Sequence, residues 1–186
     1  MRMILALILA VFLFSAVPLF AQDKHSLEIF GGYNFGPAVV YVCGIPEGCP
    51  GLNVYENMNG GNMAFTGNVN SKLGIKMEIA GVGRIKDNEK YRYYSLMAGP
   101  QVNRRFEAFP GTMFGHALFG VKHRRWSYDP LSLSDSSNIF VMALGGGIDW
   151  GKGRIGVRLP QIDYFPKREL PYYKYRVSTG IVFRFQ

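Results

Sequence analysis

The chain has 186 residues and a formal net charge of +8, with 23 glycines and an aromatic content of 15%. This length is enough for one domain, and the positive charge favours anionic partners. The two cysteines and three widely separated histidines do not match the spacing of a metal site. No metal or other cofactor is therefore predicted.

Residues 1–21 have the pattern of a secretory signal peptide. Arg2 supplies the basic start, an unbroken apolar run covers residues 4–14, and Ala21 precedes a plausible cleavage point. Pro18 and the lack of a basic stop argue against the alternative, a retained transmembrane helix. The mature protein, residues 22–186, is therefore expected to be exported and to form one domain.

The final segment, Tyr175–Phe185, alternates between two kinds of residue. Ile181 and Phe183 belong to a mainly apolar set, whereas Arg176 and Arg184 belong to a small or charged set. A period of two indicates a β-strand with two different environments. This strand alone fits either a soluble sandwich with its apolar face inward or an outer-membrane barrel with its apolar face toward lipid.

Eight segments of the mature chain have the length of strands that cross a bilayer, and no sustained helical period is found. Long polar connections such as 35–59 and 124–137 alternate with tight turns such as 151–153. Long outer loops, short periplasmic turns and an even strand number are typical of a bacterial outer-membrane barrel. The predicted fold is all-β, an eight-stranded antiparallel up-and-down transmembrane β-barrel. Its predicted strands are 26–34, 60–70, 72–82, 91–103, 112–123, 138–149, 153–165 and 174–185.

Apolar residues at alternate strand positions are predicted to face lipid. Ile75, Met77, Leu144, Val157 and Ile181 belong to this set. Small and charged residues occupy the intervening positions, which favours the membrane barrel over a soluble barrel with a bulky apolar core.

The seventh predicted strand breaks the alternation. Val157 and Leu159 belong to the outward set, yet Gln161 and Asp163 fall on the same parity. A bulge near residues 159–160 would return Gln161 and Asp163 to the interior.

Several stretches carry a family resemblance, namely residues 61–70, 116–121, 143–149 and 161–164 and the closing strand. Over about residues 25–185, the chain resembles the eight-stranded outer-membrane β-barrel family, the architecture of the OmpA-type transmembrane domain. The resemblance implies the fold and a location in the bacterial outer membrane, among lipid and lipopolysaccharide, but little about activity. The closing strand resembles the C-terminal signal of such barrels, which implies contact with the barrel-assembly machinery, although Gln186 follows the terminal aromatic residue.

Charged residues on the inward parity are predicted to form a polar network in the lumen. An eight-stranded barrel is only wide enough for its own side chains, and buried charges of opposite sign must pair. Glu78 and Asp163 are predicted to be shared among Arg158, Arg176 and Lys76. The predicted network consists of Glu28, Lys76, Glu78, His116, Lys122, Asp149, Arg158, Asp163, Arg176 and Arg184.

Two further features concern the predicted outer loops. Cys43 and Cys49 lie in one loop of an exported protein, and a disulfide between them is predicted. The basic cluster Lys122, Arg124 and Arg125 lies where the fifth strand leaves the membrane. It is interpreted either as a contact for lipopolysaccharide phosphates or as a solvated loop.

The predicted function is that of a monomeric integral outer-membrane barrel with a filled lumen, in a structural or surface-interaction role. It is not predicted to be a general porin, an enzyme or a nucleic-acid-binding protein. The first alternative is an enzyme that modifies lipid A, for which His116, His123 and the serines of residues 132–137 are the candidates. No serine lies two positions from either histidine on the same face, apart from the pair His123 and Ser127 in the predicted loop. The second alternative is a soluble periplasmic β-barrel carrier.

Overall fold

The computed structural model of the chain describes residues 27–42, 52–86, 89–105, 110–128, 133–151, 153–166 and 172–185. The predicted signal peptide and the Cys43–Cys49 disulfide lie outside these residues and stay predictions. None of the described residues belongs to a helix long and apolar enough to cross a membrane.

The described residues form nine β-segments that follow one another along the chain. Both β8 and β9 pair with β1, so together they form the last strand of the sheet. The segments are β1 (Leu27–Val42), β2 (Leu52–Asn68), β3 (Leu73–Lys86), β4 (Glu89–Arg105), β5 (Gly111–Tyr128), β6 (Leu133–Trp150), β7 (Ile155–Tyr164), β8 (Tyr172–Tyr173) and β9 (Tyr175–Phe185).

The sheet closes into a barrel. Each strand pairs antiparallel with the next along the chain, and β1 pairs with both β2 and β9. No strand among the described residues keeps a free edge along its whole length, which satisfies the backbone amides that an apolar environment could not. The predicted all-β fold with eight antiparallel up-and-down strands is confirmed.

The strands extend further at one end of the barrel than predicted. The pairing of β1 with β2 continues to Val42 and Leu52, and that of β5 with β6 continues to Tyr128 and Leu133. The prediction that 35–59 and 124–137 are long loops is therefore wrong for most of these residues. The alternation that identifies a strand is lost although the backbone pairing continues, because residues 122–128 and 133–138 are mostly polar on both parities and residues 38–42 and 52–56 are mostly apolar on both.

The predicted bulge in the seventh strand is confirmed. The pairing of β7 with β9 shifts register between Arg158 and Gln161. Leu159 and Pro160 both face outward and are exposed, whereas Arg158 and Gln161 on either side are buried. Pro160 is tolerated because the bulge leaves its position outside the regular ladder.

The outward surface of the barrel is apolar. Four of the five residues singled out as lipid-facing, Ile75, Leu144, Val157 and Ile181, are 44–54% exposed, and Met77 is half-buried. A contiguous exposed apolar surface of this extent is unusual in a soluble monomer. It has the form expected of a barrel that crosses a bilayer with its strands.

Candidate functional site: the charged interior

The alternation of the strands places the predicted charged residues in the interior. All ten are buried, and none is more than 9% exposed. They lie in three levels along the barrel axis, from the end that carries Leu27 and Phe185 to the end that carries the extended hairpins.

The middle level is organised around Arg176. Its guanidinium contacts the carboxylate of Glu78 and donates to Oδ2 of Asp163 from Nε and Nη2, at 3.0 Å and 2.5 Å. Lys76 Nζ lies 3.2 Å from Oε2 of Glu78. All four side chains are at most 1% exposed. As predicted, both acids therefore have buried cationic partners, which offsets part of the cost of burial.

Gln161 joins these four residues, and we call the five the central network. Its amide nitrogen donates to Glu78 at 3.2 Å and to Asp163 at 2.8 Å, while its Oε1 accepts from Lys76 and from Arg158, both at 3.0 Å. A neutral amide can donate to acids and accept from bases at once, which suits this position. The sequence predicted that a bulge turns Gln161 inward. The role of Gln161 as a bridge between acids and bases was missed because its side chain carries no charge.

Arg158 has a different partner from the one predicted. Its Nε and Nη2 donate to the two oxygens of Asp149 at 2.7 Å and 2.9 Å, a bidentate pair. The prediction that it shares Glu78 and Asp163 is wrong, because Asp149 lies directly opposite Arg158 in the pairing of β6 with β7. The guanidinium also lies between the rings of Phe30 and Phe114, 4.4 Å and 4.2 Å from their centroids.

His116 and Asp163 form a buried pair. Nε2 of His116 lies 2.8 Å from Oδ1 of Asp163. A side chain at Gly145 would bring a Cβ atom 2.2 Å from that carboxylate oxygen and 2.8 Å from the imidazole. The absence of a side chain at Gly145 therefore makes room for the pair. The sequence identified both residues as inward-facing, but it gave no signal that they would contact each other.

A lower level lies at the end with the short turns. Arg184 lies 3.8 Å from Glu28 and 3.9 Å from Asp149, and its Nη1 donates to the carbonyl oxygens of Gly151 and Gly153. These contacts connect the closing strand to the turn between β6 and β7.

The upper level differs most from the prediction, because it is largely apolar. Lys122 enters it, with Nζ 5.6 Å and 5.0 Å from the ring centroids of Tyr93 and Phe165. The apolar side chains of this level were missed, because an interior lined by small and charged residues was expected. They are Met58, Val82, Tyr91, Tyr93, Met97, Leu118, Val141, Ala143 and Phe165.

The predicted basic cluster on β5 is divided between the two faces of the sheet. Lys122 is 3% exposed inside the barrel, so its prediction as a lipopolysaccharide contact is wrong. Arg124, on the same parity, pairs with Asp135 at 2.5 Å. Arg125 lies on the outward face and is exposed. Adjacent residues of a strand point to opposite faces, so the three cannot act together.

The chemistry of this interior is that of a buried network of paired acids and bases. Around Asp149 and Asp163 its acids and bases lie at hydrogen-bonding distance, and side chains occupy the middle of the barrel from several directions. Among the described residues, no group of three His, Cys, Asp or Glu side chains is placed to hold a metal ion. His123, the other candidate base, lies on the outward parity with Nδ1 2.8 Å from the amide oxygen of Asn138.

Comparison with known proteins places the fold. No protein-family model and no curated protein matches the chain. Among solved structures, the chain is similar to the Neisserial surface protein A, with a TM-score of 0.67 and 9% identity over 88% of this chain and 100% of that one. It is similar to Ail, the attachment invasion locus protein of Yersinia pestis, crystallised with the heparin analogue sucrose octasulfate, with a TM-score of 0.62 and 18% identity over the same shares. For the outer membrane protein OprG of Pseudomonas aeruginosa the TM-score is 0.58 and the identity 10%, over 90% and 99% of the two chains. The chain thus has the fold of small eight-stranded outer-membrane β-barrels.

Proposed function

We propose that this protein is an integral protein of the bacterial outer membrane that presents hairpins at the cell surface and conducts no solutes. The central network carries this proposal, because its buried side chains meet across the middle of the barrel. An eight-stranded barrel encloses only enough space for side chains, so such a network leaves no wide channel. The role is structural or interactive rather than that of a general porin.

The extended hairpins support the second part of the proposal, that the protein presents a surface outside the cell. The strands of β5–β6 remain paired beyond the outward apolar residues, through Arg125, Ser136 and Ser134, and those of β1–β2 remain paired as far as Val42 and Leu52. The β5–β6 hairpin therefore presents polar side chains beyond the apolar surface of the barrel, in a position where surface segments commonly carry function. The similarity to the Neisserial surface protein and to Ail, described as an attachment invasion locus protein, supports the same role.

The two alternatives have less support. A soluble periplasmic carrier would require its bulky apolar residues inside and a polar exterior, whereas Ile155 is 63% exposed and Phe140 is 59% exposed. A lipid A-modifying enzyme would require a nucleophile beside a base. His116 is instead buried against Asp163, and the side-chain partner of His123 is Asn138.

The closed interior can be tested by planar-bilayer recording of the purified wild-type protein. We expect no large, steady single-channel currents, because the central network occupies the lumen. A porin of known conductance, inserted in the same bilayer, serves as the control. Steady currents of porin size from the wild-type barrel would show that the lumen is open and would refute this part of the proposal.

The orientation can be tested with two matched single-cysteine variants in a background where Cys43 and Cys49 are serine. Ser134→Cys lies on an extended hairpin and Ser71→Cys in the opposite short turn, and both positions are exposed. In intact cells, a membrane-impermeant maleimide is expected to label Ser134→Cys and to label Ser71→Cys only after the outer membrane is permeabilised. The reverse pattern would mean that the barrel is inverted, and equal labelling would mean that it is not inserted.

A further inference from the structure

On the outward faces of β4, β5 and β6, the side chains change from apolar to basic toward the extended hairpins. Strand pairing fixes four rows of three residues, each residue lying directly opposite the next. The first row is aliphatic and aromatic, the second is amphipathic, and the third and fourth are basic and hydroxyl-bearing. From the middle of the barrel outward, the rows are Leu96, Val121 and Phe140; Tyr94, His123 and Asn138; Arg92, Arg125 and Ser136; and Lys90, Ser127 and Ser134.

The third row contains an unusual pair. Arg92 and Arg125 lie directly opposite each other on adjacent strands, and both are exposed on the outward face. Cβ atoms in such positions are about 4.5–5.5 Å apart, and like charges there repel each other. We call these two residues the outward arginine pair.

Among the residues that the structure describes, no acid lies directly beside the pair on the same face. Among the described residues, none of the four rows contains Asp or Glu. The flanking residues of the row are Gly83 on β3, which has no side chain, and Ser136 on β6, which is neutral. Asp135 lies on the opposite parity and pairs with Arg124. Two guanidinium groups without an acid between them form a site for an anion with several oxygens, such as phosphate.

The rows below the pair indicate what else the anion carries. Leu96, Val121 and Phe140 are 50–59% exposed and continue the apolar surface of the barrel. Arg92 is four residues from Leu96, about 13 Å along the strand at ~3.3 Å per residue. Between them, Tyr94, His123 and Asn138 offer ring and amide groups of the kind that bind sugars. The order along the strands is therefore acyl chain, polar headgroup and phosphate.

We propose that the outward arginine pair binds a phosphate of a phosphorylated glycolipid in the outer leaflet. The acyl chains lie against the aliphatic row and the headgroup sugars against the amphipathic row. This inference rests on the proposed location in the outer membrane. It replaces the predicted cluster on β5 by two residues on neighbouring strands, of which only Arg125 belonged to that cluster.

The test compares the double variant Arg92→Gln/Arg125→Gln with the control Arg105→Gln/Arg154→Gln. Both remove two positive charges from exposed positions, but the control residues lie at the opposite end of the barrel. The full-length mature protein in detergent micelles is titrated with bisphosphorylated lipid A, and bound lipid is counted by native mass spectrometry. Loss of the pair is expected to weaken binding about tenfold or more, because each arginine supplies charge-assisted hydrogen bonds. The control is expected to bind within about twofold of the wild type.

Three other probes identify the source of the binding. Dephosphorylated lipid A is expected to bind wild type and double variant equally, and inorganic phosphate is expected to compete only weakly. Equal weakening of both double variants would mean diffuse attraction and would overturn the proposal. The proposal would also be overturned if the wild type bound dephosphorylated lipid A as tightly as bisphosphorylated lipid A. Full competition by inorganic phosphate or by a soluble sulfated polysaccharide would overturn it as well. A failure of the proposed location appears separately, as absence of the wild-type protein from the outer-membrane fraction.

Discussion

Replacing Glu78 with alanine is expected to destabilise the barrel by about 3–5 kcal/mol. Glu78 contacts both Arg176 and Lys76, and it accepts a hydrogen bond from Gln161. Its removal leaves two cations in an interior where both are at most 1% exposed, with one acid, Asp163, still paired with Arg176. The cost arises mainly from this uncompensated charge rather than from lost packing. Urea unfolding of the protein reconstituted in lipid vesicles measures the change in the free energy of unfolding.

A matched control is available on the exposed part of the barrel. Asp135→Ala also removes an acid paired with an arginine, but the Asp135 side chain is 56% exposed. Solvent screening limits the value of such a pair to roughly 0–1 kcal/mol. Equal losses from Glu78→Ala and Asp135→Ala would contradict the view that burial makes the central network costly to break. Glu78→Gln keeps the shape and is expected to lose less than alanine, because an amide oxygen still accepts hydrogen bonds.

The barrel itself was predictable because a transmembrane strand must satisfy two environments at once. The alternation of Ile75 and Met77 with Lys76 and Glu78 follows from that requirement, and it fixes which side chains enter the interior. The break at Gln161 carried enough information to predict the bulge, since two polar residues would otherwise face lipid. Whether a side chain points into the barrel or outward can thus be predicted from the local sequence.

Partners within the interior were harder to predict because they depend on the stagger between distant strands. Asp163 and His116 are 47 positions apart, and Glu78 and Arg176 are 98 apart. Their contact requires the register of every intervening strand, which no local pattern encodes. The apolar upper level was missed for another reason. Tyr91 and Tyr93 are large residues on the inward parity, in a region where the outward face no longer has to be apolar and the contrast between faces disappears.

The middle and upper levels of the interior suit different tasks. The charged middle level holds strands in one register, because a slip would separate groups that are costly to leave unpaired. The apolar upper level, with Met97 and Leu118 at its centre, contributes ordinary core packing beneath the extended hairpins. The hairpins therefore continue from a packed apolar base. This arrangement suits a barrel whose function lies on its outer surface.

Leu144→Arg tests the lipid-facing surface directly and is expected to cost about 2–4 kcal/mol in a bilayer. Leu144 lies opposite Ala117 on β5 and is 44% exposed on the outward face, near the middle of the strands. An arginine there must either leave its charge in hydrocarbon or distort the surrounding lipid.

Ile155→Arg is the matched control, since Ile155 is also outward but begins β7 beside the short turn. There the side chain can reach water, and the cost is expected to fall to roughly 0–1 kcal/mol. Both values come from reversible unfolding in the same lipid vesicles. If the two substitutions cost the same, Leu144 does not lie at the middle of a bilayer, and the membrane position assigned to the barrel is wrong.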